Sequence, residues 1–318
     1  MKIGILGTSD IAFRRFLPAL KSYEKFEYAG VASRDIKKTT RFISEFGGKG
    51  YDGYEALLND NSIDAVYIPL PPALHYHYGN LAIEKNKHVL MEKPFTISLC
   101  HTKALIEKAI NAKVALQENY MFQYHSQIEK ITEIINGDKL GEIRLIRASF
   151  GFPMRQQDDF RYNKELGGGA VFDAGGYVVK LASLLLGSSA VVKSSSVNIS
   201  SKFNVDINGC VTIQNDDGLI FQGAFGMDNS YQCSLEIWGS KGRLFTNRIF
   251  TAPPDINPTL TLELIGTNET ITLDSDDHFK KSIDVFYKAI NNKIIKEKCY
   301  NDIMLQSKLV FDIFDILK

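Results

Sequence analysis

Ile3-Gly4-Ile5-Leu6-Gly7-Thr8-Ser9-Asp10-Ile11-Ala12 decides the fold of this chain. Residues 3–6 read as a short buried strand, and Gly7-Thr8-Ser9-Asp10 reads as a turn. Phe13, Phe16, Leu17 and Leu20 follow at helical spacing. Pro18 falls inside that pattern, removes a backbone donor and predicts a kink. The same alternation repeats outward. Residues 26–32 read as a second strand. Residues 35–46 read as a helix, with Ile36, Thr39/Thr40 and Ile43 on one side. Residues 63–68 read as a third strand, stopped by Pro69-Leu70-Pro71-Pro72. A helix over 73–86 leads to His88-Val89-Leu90-Met91, an apolar run that Glu92-Lys93-Pro94 ends. A helix over 98–111 and a strand over 114–118 complete the series. Strands alternating with helices predict a parallel, doubly wound α/β sheet that binds ligands beyond the carboxyl ends of its strands.

The pattern changes after residue 120. A helix is expected over 128–135, and extended segments then dominate: 143–150, 190–200, 209–214, 218–225, 231–238 and 258–273. Leu219-Ile220-Phe221-Gln222-Gly223 alternates apolar and polar residues, as a sheet with one covered face requires. Asn215-Asp216-Asp217-Gly218 is the turn of a hairpin. Helices are expected at 174–186, 279–291 and 302–317. The chain therefore divides into a Rossmann-type, doubly wound α/β domain, 1–120, and an α+β domain, 121–318. The second carries a large, mostly antiparallel open-faced sheet.

Composition narrows the function. The 318 residues carry 37 Lys+Arg against 37 Asp+Glu. A net charge of zero argues against nucleic acid or an anionic membrane as a partner. Cys100, Cys210, Cys233 and Cys299 are too scattered for a zinc site or a disulfide framework. The N-terminus enters a strand pattern without the apolar core of a signal peptide. No apolar run is expected to span a bilayer. A reducing cytoplasm is the expected compartment.

The candidate chemistry lies in three places. Gly4, Gly7 and Ala12 surround the first strand–helix turn, with Ser9 and Ala12 where a dinucleotide fingerprint has glycine. Backbone N–H groups at that helix start form an anion site. Ser33-Arg34 ends the second strand, where a guanidinium pairs with the extra phosphate of NADP and a carboxylate would favour NAD. No acid stands at 33 or 34, so NADP(H) is preferred over NAD(H) on Arg34, although Asp35 follows immediately and leaves NAD(H) open. Lys93 stands at a strand end, where a lysine is often merely solvated. Gly167-Gly168-Gly169 lets backbone approach a ligand, and Asp173 and Tyr177 share a helical face. Asp173 also has the alternative of capping that helix. A tyrosine donates a proton to a ketone more readily beside an ammonium. His75 follows the strand-ending prolines. His75, His77 and His125 have no spacing that suggests a metal site, and none is expected.

Together these residues resemble the Gfo/Idh/MocA oxidoreductases over essentially the whole chain. The likeness rests on the strand–turn start, Tyr67-Ile68-Pro69-Leu70-Pro71-Pro72 with His75, Glu92-Lys93-Pro94, and the 167–177 segment. Within the family, four stretches resemble nucleotide-sugar 3-ketoreductases of deoxysugar biosynthesis: 117–122, Phe152-Pro153 with 159–162, Gly175-Gly176-Tyr177, and 250–254. Many relatives have histidine where Tyr177 stands and an acid where Lys180 stands.

The resemblance implies NADPH-dependent reduction of a keto group on a nucleotide-linked sugar, with Lys93 and Tyr177 as the catalytic pair. It implies cofactor contacts from Gly7, Thr8, Ser9, Asp10, Ile11, Ser33, Arg34, Leu70, Pro71, His75, Glu92 and Lys93. It implies substrate contacts from Asn119, Phe152, Arg161, Asp173 and Tyr177, although Arg161 fits a surface ion pair equally well. Two alternatives stand beside it: an NADP-dependent dehydrogenase of a free sugar or dihydrodiol, and a non-catalytic NAD(P)-sensing regulator. A homodimer or homotetramer through the second-domain sheet is expected.

Overall fold

The computed structural model describes residues 1–316. The chain forms two units, Met1–Asn119 with Phe279–Ser307, and Tyr120–His278 with the chain from Lys308 onward. The first is built on β1 (Lys2–Leu6), β2 (Glu27–Ser33), β3 (Lys49–Asp52), β4 (Ala65–Ile68), β5 (His88–Met91) and β6 (Leu116–Glu118). Their order is β3-β2-β1-β4-β5-β6, and every neighbouring pair is parallel. The order reverses between β1 and β4, the switch point where such sheets hold ligands. The strands are continuous apolar runs because both faces are covered. Ile5, Leu6, Val31, Val66, Ile68, Val89 and Met91 are all buried.

Pro18 produces a change of helix type. A π-turn spans Ala12–Phe16, and the Leu17 N–H donates to the Ala12 carbonyl. Pro18 then falls directly after that π-turn, as the second residue of helix Leu17–Lys21. β3 is not legible in the sequence, since Lys49-Gly50-Tyr51-Asp52 offers one apolar side chain. Gly30 permits its pairing, because a Cβ there would lie 2.0 Å from the Lys49 carbonyl oxygen.

The chain leaves the first unit after Asn119 and returns to it at Phe279. Residues 279–307, expected in the second domain, pack with the first unit. Phe286 stacks on Phe26 with ring centroids 5.9 Å apart. The Tyr300 hydroxyl donates to the Val114 carbonyl. The last helix runs Lys293–Asp315 and so begins well before the expected 302. The Asn292 side chain caps it by accepting from the Ile294 and Ile295 N–H groups at 2.9 and 3.2 Å.

The second unit contains β7 (Ile143–Gly151), β8 (Val191–Ile199), β9 (Asp206–Gln214), β10 (Ile220–Gly226), β11 (Gln232–Gly239), β12 (Gly242–Thr246), β13 (Thr259–Leu264) and β14 (Thr267–Thr272). The order is β14-β13-β12-β11-β7-β10-β9-β8. Only β7 and β10 pair in parallel. The predicted turn joins β9 to β10, with Ile220 opposite Gln214.

Phe221 and Phe225 point inward from β10, whereas Gln222 and Ala224 are exposed. Helix Gly176–Leu186 covers the inner face. A Cβ at Gly223 would stand 2.2 Å from a Val178 methyl, so the helix lies directly on the strand. The stretch Lys164–Leu186 is long and apolar enough to cross a membrane by length and composition. That corrects the expectation that no run reaches this length. Here 78% of its apolar window is buried inside the protein, as in a core helix.

Candidate active site

The turn after β1 begins with Gly7, at φ +115° with its N–H donating to the Ala32 carbonyl at 2.9 Å. A Cβ on Gly7 would lie 2.8 Å from the Leu70 side chain. The carboxyl ends of β1 and β4 therefore meet through a residue without a side chain. Ser9 Oγ accepts from the Ala12 N–H at 3.3 Å, which fixes the first helical turn. Asp10 pairs with Arg14 at the surface at 3.1 Å. At the end of β2, Ser33 is buried and its Oγ accepts from the Asp35 N–H at 3.2 Å. Arg34 is exposed. Asp35 is spent locally, because its carboxylate accepts from the Lys37 N–H at 3.1 Å and caps a short 3-10 turn.

Beyond β5, the Glu92 N–H still pairs with the Ile68 carbonyl at 3.1 Å, so Lys93 leaves from a fixed strand end. The Lys93–Pro94 peptide is cis. Glu92 Oε1 accepts from the Tyr67 hydroxyl and from Asn119 Nδ2, both at 2.6 Å. Burial pushes the Glu92 carboxyl up, against those two donors. His75 is fully buried, with Nδ1 2.8 Å from the Pro94 carbonyl and Nε2 2.8 Å from the Leu70 carbonyl. Burial pushes its pKa down, while the carbonyls it faces oppose that shift. His75 thus ties the prolines after β4 to the turn that presents Lys93.

In the second unit, Tyr177 opens helix Gly176–Leu186 and sits among rings. Tyr120, Phe122, Phe150 and Phe250 surround it at centroid distances of 5.2, 5.7, 5.1 and 6.0 Å. Its hydroxyl donates to the Met121 sulfur at 3.7 Å. Asp173 does not cap the helix. It lies inside a π-turn, Val171–Gly175, and accepts from Arg161 Nε at 2.5 Å. Arg161 Nη1 also donates to both Asp159 oxygens at 3.1 and 3.2 Å. Burial opposes the charge on Arg161, but Asp173 and Asp159 outweigh it and hold the guanidinium firmly cationic. Phe152 carries the Arg155 guanidinium over its ring at 5.2 Å. Among the described residues, no group of three or more His, Cys, Asp or Glu side chains gathers around a metal position.

Comparison with known proteins follows this division. The description "Oxidoreductase family, NAD-binding Rossmann fold" matches residues 1–120, and the GFO/IDH/MocA C-terminal domain matches 128–245. A dTDP-3,4-didehydro-2,6-dideoxy-alpha-D-glucose 3-reductase of Actinomadura kijaniata is 35% identical over 310 residues, 98% of this chain and 93% of its own length. The chain belongs to the Gfo/Idh/MocA oxidoreductase family. A solved 3-ketoreductase from Actinomadura kijaniata, in complex with NADP and TDP-benzene, superposes with a TM-score of 0.96. It is 35% identical and covers 99% of this chain and 97% of its own. D-xylose 1-dehydrogenase (NADP(+)) 2 of Haloferax volcanii is 32% identical over 91% of this chain and 89% of its own length.

The Gfo/Idh/MocA frame sorts the predicted residues. Gly7, Thr8, Ser9, Asp10, Ile11, Ser33, Arg34, Leu70, Pro71, His75, Glu92 and Lys93 all lie at or just beyond the carboxyl ends of first-unit strands. Asn119 follows β6 and is bonded to Glu92. Phe152, Arg161, Asp173 and Tyr177 lie in the second unit. Arg161 and Asp173 meet each other. Sequence reasoning missed the rings of Phe150 and Phe250, which come from strand and loop positions with no shared spacing. It also missed Tyr67 as a partner of Glu92. The alternation of β4 and the loop after β5 brings them together, and no local motif does. A groove of about 360 Å³ on the open face of the second sheet, bordered by Ser149, Asn208, Asn229 and Gln232, contains none of the predicted residues.

Proposed function

We propose that this oxidoreductase reduces a keto group on a nucleotide-linked sugar with NADPH, as a 3-ketoreductase of deoxysugar synthesis. Tyr177 carries the reading. It places a phenol at a helix start, inside a ring of aromatics. The likeness to dTDP-sugar 3-reductases supports the substrate class. Solved structures of the Actinomadura kijaniata enzyme include one with a tyrosine changed to phenylalanine and others with a lysine changed to alanine or glutamate. The Haloferax volcanii relative supports the alternative of an NADP-dependent dehydrogenase acting on a free sugar. Comparing initial rates on free and nucleotide-linked sugars separates these readings.

The residues present fit the cofactor. Gly7 leaves open the space a Cβ would fill, and the turn N–H groups suit a pyrophosphate. Arg34 is exposed while Asp35 is engaged with Lys37, a combination suited to a 2′-phosphate rather than to free ribose hydroxyls. NADPH supplies the hydride when bound. Lys93 holds a hydrogen-bonding charge near the reacting carbonyl. Tyr177 delivers the proton that the new alkoxide takes, and the surrounding rings keep water from competing for it. Glu92, fixed by Tyr67 and Asn119, orients the turn from which Lys93 extends. Phe152, Arg161 and Asp173 serve the substrate side, Arg161 and Asp173 as a pair that shapes the loop before Tyr177.

The test is NADPH consumption with a nucleotide-linked ketosugar. Lys93→Met and Tyr177→Phe are each expected to lower kcat by about 100-fold or more. Full activity in both would overturn the mechanism. Cofactor binding without turnover across a broad ketosugar panel would favour a sensing role.

The partner surface belongs to the same reading. The open face of the second sheet exposes Trp238, which is 52% accessible, beside an ionic row of Arg147, Glu236, Arg243 and Glu263. An exposed tryptophan in a mixed polar field suits a self-complementary interface, so a homodimer or homotetramer is proposed. Equilibrium sedimentation at micromolar concentration giving a monomer mass would exclude it. The four cysteines are free thiols, which suits a reducing compartment.

A further inference from the structure

Asp206 is the first residue of β9, 8% exposed, and has no place in the chemistry above. Its Oδ2 accepts from the Val171 N–H at 2.5 Å, and its backbone carbonyl accepts from the Ala170 N–H at 2.8 Å. Those two N–H groups open the π-turn that leads directly into the helix of Tyr177. Helix starts leave such donors without partners inside the helix. Here one residue of a distant strand satisfies both, the Asp206 carboxylate taking the Val171 N–H, 35 residues away in sequence, and its backbone carbonyl taking the Ala170 N–H.

The glycine loop is shaped by the same contact. Gly169 has φ +121°, and a Cβ there would lie 2.3 Å from Asp206 Oδ1. Gly168 is packed as closely against the Arg161 carbonyl, at 2.4 Å from its own missing Cβ. One step after the π-turn, a Cβ on Gly176 would meet the Tyr120 hydroxyl at 2.2 Å. The segment before Tyr177 is thus clamped by Asp206 at its beginning and by Tyr120 at Gly176. Burial pushes the Asp206 carboxyl up, while the Val171 and Ala170 donors pull it back.

We propose that Asp206 is a positioning residue for Tyr177: its carboxylate anchors the glycine loop and the π-turn, and so sets where the phenol stands. This rests on Tyr177 being the proton donor. It explains two of the three glycines before the helix, since Gly168 and Gly169 are needed for the loop to reach Arg161 and Asp206. Displacing a catalytic group by about an ångström costs about 100-fold in rate, whereas cofactor binding, drawn from first-unit residues, should not change.

The test measures kcat, KM for the ketosugar and the dissociation constant of NADPH for Asp206→Ala, Asp206→Asn and Tyr177→Phe. Melting curves and NADPH binding identify folded variants. Asp206→Ala is expected to lower kcat about tenfold or more with NADPH binding within about twofold of wild type. Asp206→Asn keeps one acceptor oxygen and should recover part of that loss. In the Tyr177→Phe background, Asp206→Asn should lower the residual rate less than it does alone, because both act through one group. Wild-type kcat in both Asp206 variants, or a full multiplicative loss in the double variant, would overturn the proposal. A fully active Tyr177→Phe would instead remove the reading on which it rests.

Discussion

Glu92 takes two hydrogen bonds on a single oxygen, from Tyr67 and Asn119, and both donors are buried. Its value to the fold is therefore that of an acceptor. Glu92→Gln retains a carbonyl oxygen and is expected to change stability by less than about 1 kcal/mol. Glu92→Ala leaves two buried donors unmet, at a cost of about 2–5 kcal/mol. Urea denaturation of the two variants checks this, and equal losses would mean that the charge itself is what matters. The same contrast bears on function. If Glu92 orients Lys93 by geometry alone, Glu92→Gln keeps most of the activity and Glu92→Ala loses it. Arg161 gives the complementary lesson. With its charge matched by two carboxylates, it resembles a buried structural pair more than a waiting phosphate site.

At the scale of elements, the π-turns at Ala12–Phe16 and Val171–Gly175 stand before the two helices nearest the predicted residues. The second makes room for a close approach, because Gly176 touches the Tyr120 hydroxyl where a side chain would be. Gly176→Ala is expected to lower the melting midpoint and kcat together. Tyr120→Phe in the same chain should restore part of both, since the next nearest ring atom lies 3.2 Å from that Cβ. A double variant no better than the single one would place the conflict elsewhere. Neither π-turn is legible in sequence, because an inserted residue shifts the helical phase without changing the apolar pattern. The strongly apolar strands and their order of alternation were legible, since periodicity is local. β3 and β12 were not, as Lys49-Gly50-Tyr51-Asp52 and Gly242-Arg243-Leu244-Phe245-Thr246 gain their strand character from neighbours. The site residues at strand ends followed from the fold and from short motifs. Asp206 and Phe150 did not, because they reach Tyr177 and its helix only through tertiary pairing.

For the whole molecule, acid should act first through the first unit. His88 begins β5, and its Nδ1 accepts from the Ala115 N–H at 3.0 Å. That nitrogen must carry a lone pair, so protonation breaks the contact. Burial, with the Lys296 ammonium adding to it, lowers the pKa to about 4 from 6.5. A folded value below the unfolded one means that folding is favoured fully above the unfolded value. The advantage is lost as the pH falls from about 6.5 toward 4. The loss attributable to this ring is on the order of 3 kcal/mol at its limit. His88→Asn places an amide oxygen where Nδ1 accepts and cannot gain a proton in this range. The stability difference between wild type and His88→Asn, measured by urea denaturation of the first-unit transition, should therefore be largest at pH 7. It should shrink or reverse by pH 4.5, as wild type alone pays for binding a proton in the unfolded state. Parallel stability curves for the two proteins would show that acid sensitivity arises from other groups. In that case the start of β5 would tolerate the imidazolium, and the Ala115 contact would be dispensable to the sheet that presents Lys93.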